Sequence, residues 1–175
     1  MILGGTKVFS MRQQQLEKMQ ELKRNKNSSD NVQREPVYIS GFLSEDRVIF
    51  FDNASQDFIF EKLVNALPVE NKPLALKMIH EREKIESTAI NQEISFPHAR
   101  ISGLDRIAAA LAINRMDDQT RIFFLFVSPS EDIKGHLRFL AAASALFLTE
   151  NLASLLAELN TGEDVLKMLR GIEHA

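Results

Sequence analysis

Apolar and polar positions divide the chain into two textures. Over residues 8–26 the pattern is sparse. Leu16, Met19 and Leu22 recur at every third position in a background of Gln, Glu and Lys, which predicts a marginal amphipathic helix. Residues 25–31 contain no apolar side chain and read as a flexible linker. From Val37 onward the apolar residues fall in runs and in helical spacing. Residues 47–51 form a strand candidate. Asn53 or Ser55 is placed to cap a helix through Leu67, with Phe58, Leu63 and Leu67 on one face and Pro68 as the stop. Pro73 opens a second helix to about Glu83, with Leu74, Met78 and Ile79 directed inward. Residues 94–96 are short and β-prone. Residues 107–113 and 122–127 are unbroken apolar runs, as expected of strands covered on both faces, although the alanines of the first favour helix. Ser128-Pro129-Ser130-Glu131-Asp132 then offers turn and cap chemistry ahead of a helix to about Leu148, with Leu137, Leu140 and Leu146 as its buried stripe. Thr149 is placed to cap a helix burying Leu152, Leu155, Leu156 and Leu159, and Thr161 with Asp164 resembles a cap for a last short helix over residues 165–169. Strands mixed with helices, two of the strands wholly apolar, predict an α/β domain: a layered mixed sheet flanked by helices.

Charge sharpens the division. Residues 1–36 hold seven Lys/Arg against four Asp/Glu, and residues 37–175 hold fourteen against twenty, so the net charge of −3 averages a basic arm and an acidic body. We therefore expect an N-terminal extension over 1–36, partly helical or disordered, and one domain over 37–175. An acidic body argues against nucleic acid as the main partner, because binding a phosphate backbone requires a basic face. No segment approaches the ~18–20 apolar residues of a membrane span, and the start lacks the basic and apolar regions of a secretory signal; a cytoplasmic protein without stable membrane insertion is expected. The chain contains no Cys, which removes thiolate nucleophiles, disulfides and Cys-ligated metals.

The sequence also lacks the glycine fingerprints of nucleotide binding, the His-Glu-x-x-His zinc motif and the Gly-x-Ser-x-Gly elbow, so no cofactor and no metal is expected. Histidine remains. His98 closes the stretch Ile94-Ser95-Phe96-Pro97-His98, where a strand is expected to give way to a loop. His136 follows the Ser-Pro-Ser-Glu-Asp cap, in the first turn of a predicted helix, beside free backbone N–H groups and the positive end of the dipole. Two such imidazoles can meet around a phosphoryl group, and a neutral imidazole, with its reference pKa of ~6.5, is a competent nucleophile at pH 7. His80 reads as a helix-surface residue and His174 as part of a fraying end. Arg100 is a candidate phosphate contact. A metal- or anion-binding role for the two histidines lacks a nearby third ligand.

Residues 40–170 resemble the enzyme IIA domain of the bacterial sugar phosphotransferase system, in its fructose/mannitol/nitrogen-regulatory branch. The resemblance is carried in order by Phe42-Leu43-Ser44-Glu45-Asp46-Arg47-Val48, by Phe60-Glu61-Lys62-Leu63-Val64 and by Glu81-Arg82-Glu83-Lys84-Ile85-Glu86-Ser87-Thr88. The motifs Ile94-Ser95-Phe96-Pro97-His98 and Pro129…His136-Leu137-Arg138-Phe139-Leu140-Ala141 complete it. It implies an enzyme IIA type-2-like fold, with His98 as the phosphorylated residue, His136 as the second active-site histidine and Arg82 as a charge partner. A histidine-containing phosphocarrier protein would be the donor, regulatory proteins would be possible further targets, and the role would be of the nitrogen-regulatory type. The alternative is a regulatory binding module that keeps the fold without efficient transfer. Three departures from the family pattern support it: residues 89–93 contain no glycine, Glu93 stands five residues before His98, and residues 114–121 are short, which would remove part of the pocket wall.

Overall fold

The structure, a computed structural model, describes residues 35–175. The helix expected over 8–26 and the linker over 25–31 lie outside them. Two 3₁₀ turns, Ile39–Phe42 and Glu45–Arg47, lead into β1 (Val48–Asp52), then α1 (Gln56–Ala66) and α2 (Lys72–Ile85). After these come β2 (Ile94–Ser95), β3 (His98–Ile101), β4 (Ala108–Arg115) and β5 (Thr120–Pro129), followed by α3 (Ile133–Phe147), α4 (Leu152–Ala157) and α5 (Gly162–Glu173).

The strands form one mixed sheet in the order β1-β4-β5-β2, with β3 also paired to β5. β1 runs parallel to β4, β4 antiparallel to β5, and both β2 and β3 parallel to β5. The register of β2 (Ser95 opposite Phe123) continues unshifted into β3 (His98 opposite Phe126). The two are therefore one edge strand interrupted at Phe96-Pro97, where proline has no N–H to give the ladder.

The unbroken apolar runs are explained by two cores. Alternate side chains of a strand point to opposite faces. Ala109, Leu111, Ile113, Phe124 and Phe126 accordingly join the core beneath α3, α4 and α5. Ala108, Ala110, Ala112, Phe123, Leu125 and Val127 join the one beneath α1 and α2. The alanine-rich run is a strand because it has no polar face to turn outward and because its small residues lie opposite large ones, Ala109 against Phe126 and Ala112 against Phe123.

Four helices carry side-chain caps: Ser55, Asp132 and Thr161 where the sequence offered them, and Asn71, which the expected start at Pro73 passed over, each accept a hydrogen bond from a first-turn N–H. Thr149 does not cap α4; Asn151 occupies that position in a left-handed conformation, without a side-chain bond. The last helix runs well past residue 169, to Glu173, whose carboxylate accepts hydrogen bonds from the Ile39 and Ser40 N–H groups and from the Ser40 hydroxyl. Several expected core residues face outward instead: Phe58, Leu74, Leu137 and Leu155 are exposed, while Met78, Leu140 and Leu159 are half-buried. For α3 the reason is rotational. The stripe that meets the sheet is His136, Phe139, Ala143, Leu146 and Phe147, and Leu137 lies one residue, about 100°, around the helix from it. Among the described residues no helix is long and apolar enough to cross a membrane.

Candidate functional site

The edge strand supplies the first imidazole. His98 does not end a strand, as the sequence suggested, but opens β3 after the Pro97 interruption. Alternation sends Ala99 and Ile101 into the core beneath α1 and α2, which leaves His98 and Arg100 on the opposite face. The His98 ring stacks on Phe126, with centroids 5.1 Å apart and planes 10° from parallel. Its Nδ1 lies 2.7 Å from the Phe96 carbonyl. A carbonyl only accepts, so Nδ1 carries the proton and, in the neutral ring, Nε2 keeps the lone pair.

The second imidazole comes from α3. Asp132 folds over the helix start and accepts from Gly135 N–H at 2.8 Å. A Cβ at residue 135 would come within 2.0 Å of the Asp132 Oδ2, so glycine is what the cap leaves room for. The cap consumes one of the helix N–H groups that the sequence suggested were free for an anion. His136 is buried, 5.3 Å centroid to centroid from His98, with Nδ1 2.7 Å from the Ser128 hydroxyl.

The other groups converge from α2. Arg82 lines the same hollow and ties Nη1 to the Glu86 carbonyl at 3.1 Å, which directs its fork. Next to it, Glu83 accepts from Thr88 N–H and Oγ1 at 3.1 and 2.6 Å and so pins the segment leading to the edge strand. The missing glycine in residues 89–93 is replaced by a local device: the Asn91 Oδ1 accepts from the N–H groups of both Glu93 and Ile94 at 2.8 Å.

Burial pushes the His98 imidazole below its ordinary pKa, aided by the positive charges of Arg82 and Arg100 and opposed by the Phe96 hydrogen bond and the Glu83 carboxylate. His136 is also pushed down, first by burial and then by His98 and Arg100. Both rings are thus held in the neutral form around neutral pH, the state in which one can act as a nucleophile and the other as a hydrogen-bond donor.

Four sequence candidates, His98, His136, Arg82 and Arg100, therefore line one hollow together with Ser130 and Glu81. His80 lies elsewhere, against Phe60 and Asp57, and His174 packs on Tyr38. Glu93 is exposed and does not line the hollow. The short 114–121 segment is a tight hairpin, Met116 N–H to Gln119 carbonyl, at the start of β5. It sits about 20 Å along that strand from Phe126, so it removes no wall from this pocket. A larger hollow between Asn71 and Arg106 contains no histidine, and its Arg47 is engaged with the Phe42 and Ala109 carbonyls. Among the described residues no group of three His, Asp or Glu is arranged to hold a metal ion.

The family "Phosphoenolpyruvate-dependent sugar phosphotransferase system, EIIA 2" matches residues 42–171. The chain belongs to this family. As an EIIA type-2 domain it is a phosphoryl relay component, a phosphotransferase. It is 26% identical over 121 residues to the PTS system fructose-specific EIIA component of Haloferax volcanii, covering 65% of this chain and 79% of that protein. The fold of the EIIA domain matches the nitrogen regulatory protein IIA-Ntr from Neisseria meningitidis with a TM-score of 0.64 at 20% identity, over 76% of this chain and 99% of that one. It also matches enzyme IIA mannitol of Escherichia coli, solved in complex with phosphorylated enzyme IIB mannitol, with a TM-score of 0.56 at 16% identity, over 74% and 97%.

Sequence reasoning missed Ser128 and Glu83 as parts of the site. Ser128 precedes a proline and reads as turn chemistry. Glu83 is one of two acidic residues on α2, and the carboxylate-to-Thr88 bonds that single it out are visible only in the fold.

Proposed function

We propose that His98 accepts a phosphoryl group from the phosphohistidine of a histidine-containing phosphocarrier protein and passes it to a further acceptor, in a regulatory role of the nitrogen type. The observation that carries this reading is the Nδ1 contact of His98 to the Phe96 carbonyl, made beside a second imidazole at 5.3 Å. In the forward step the Nε2 lone pair attacks phosphorus in line, the new N–P bond forms as the donor's N–P bond breaks, and the donor imidazole departs with the bond's electron pair. Nδ1 stays protonated on Phe96 throughout. Phosphoryl transfer asks the protein mainly to position groups and balance charge on three oxygens. Arg82 supplies a fork and Arg100 a second positive charge, while His136 donates one hydrogen bond.

A protein partner fits the rim. Ile85, Ile133 and Leu137 border the hollow and are 81%, 56% and 58% exposed. Apolar side chains encircling a polar centre favour a macromolecular donor that excludes water as it docks.

Labelling by phosphoenolpyruvate through the two general transfer proteins tests the reading. Wild type should acquire an acid-labile, base-stable label, and His98→Ala should lose it. Persistent labelling of His98→Ala would remove the assignment. Absence of label in both, with equal capture of partners by wild type and His98→Asp, would favour the regulatory binding module.

A further inference from the structure

The two histidines are anchored by different chemistry. His98 is held by a carbonyl, which can only accept, so its tautomer is settled by the partner. His136 is held by the hydroxyl of Ser128, which can donate or accept. In the neutral state this choice decides whether the His136 Nε2 carries a proton or a lone pair, and a lone pair would repel a phosphoryl oxygen.

The surroundings of the hydroxyl make the choice. Ser128 is fully buried near the end of β5, and among the described residues its one side-chain hydrogen-bond partner is the His136 Nδ1, at 2.7 Å. A buried hydroxyl proton left without an acceptor is costly. Ser128 O–H therefore donates to Nδ1, which must then carry the lone pair, and the ring proton resides on Nε2. Strand register places Ser128 opposite Arg100 and two residues beyond Phe126, on the face from which His98 also projects. We propose that Ser128 is a positioning residue for phosphoryl transfer: it fixes neutral His136 as the Nε2–H tautomer and thereby makes it a hydrogen-bond donor to the phosphoryl group on His98. This rests on the phosphoryl-transfer reading of the hollow for its consequence, but not for the tautomer.

Long-range ¹H–¹⁵N correlation spectra of the wild-type protein at neutral pH read the tautomer directly and need no transfer activity. His136 should show a protonated Nε2 and a bare Nδ1, and His98 the reverse. In Ser128→Ala the His136 signal should move toward a mixture of tautomers. Transfer onto His98 should slow about tenfold through kcat, with the donor's KM unchanged because Ser128 does not reach the surface. Ser128→Thr, which restores the hydroxyl, should recover both. In a His136→Ala background, Ser128→Ala should have no further effect on rate, since it acts only through that ring. The proposal is overturned if wild-type His136 carries its proton on Nδ1, if Ser128→Ala keeps both the Nε2–H tautomer and the wild-type rate, or if its effect persists without His136. Should the spectra show the expected tautomers while His98→Ala still takes label, the proposed function fails and the role of Ser128 in setting the tautomer survives.

Discussion

The two faces of the sheet are made from the same strands and differ in what alternate residues contribute. Beneath α1 and α2 the strands present Ala99, Ile101, Ala110, Phe123, Leu125 and Val127, and the buried polar side chain that continues the β4 series there, Asn114, is spent on the Ala54 N–H and carbonyl. Beneath α3 the series on β5 begins the same way, with Ile122, Phe124 and Phe126, but it then passes to Ser128, where His98, Arg100 and His136 gather. A period of two lets an edge strand carry chemistry on one side while its other side stays ordinary core. It follows that stability and transfer should be separable by substitutions one residue apart.

The sharpest break of the comparison pairs His98→Asn with Leu125→Ala. The first should abolish labelling while leaving the thermal midpoint within a few degrees. The second should cost about 2–5 kcal/mol of stability by opening a cavity, read from urea unfolding, while the molecules that remain folded still take label. Loss of labelling per folded molecule in Leu125→Ala would show that the faces are coupled. A smaller effect is expected from Arg100→Leu. Arg100 depresses both imidazoles, so removing its charge raises both pKa values toward the ordinary histidine value. Transfer needs neutral His98, so the acid limb of the pH–rate profile should move to higher pH; an unmoved limb would detach Arg100 from the site. Smallest is Asp132→Ala, which removes the α3 cap at about 1 kcal/mol and should slow transfer a few-fold by loosening the turn that presents His136. Recovery by Asp132→Asn would assign the effect to the cap.

Much of this was legible in the sequence because local rules carried it. Three caps, the turn before α3 and the two buried strands follow from residue types and periodicity, and the motifs brought His98, His136 and Arg82 forward before any geometry. What escaped depended on competition between equally apolar faces. Leu137 and Leu140 looked as suited to burial as Phe139 and Ala143. Only the packing of α3 on Phe124 and Phe126 selects the latter and leaves Leu137 at the rim of the hollow. Likewise the 114–121 segment gave no hint of its distance from the histidines, since that distance is set by the antiparallel register of β4 and β5.

The bond between His98 and Phe96 has a consequence for how copies of this chain meet. An edge strand normally displays unpaired main-chain groups that invite another strand to add. At Phe96 both are occupied, the N–H by the Thr88 carbonyl at 3.0 Å and the carbonyl by the His98 ring. The imidazole thus acts as a stopper on the sheet beside the chain's own 88–91 segment, whose Ile90 and Asn91 N–H groups bond the Ile94 carbonyl, so that ring and segment together leave little backbone at this point on which a ladder could be extended.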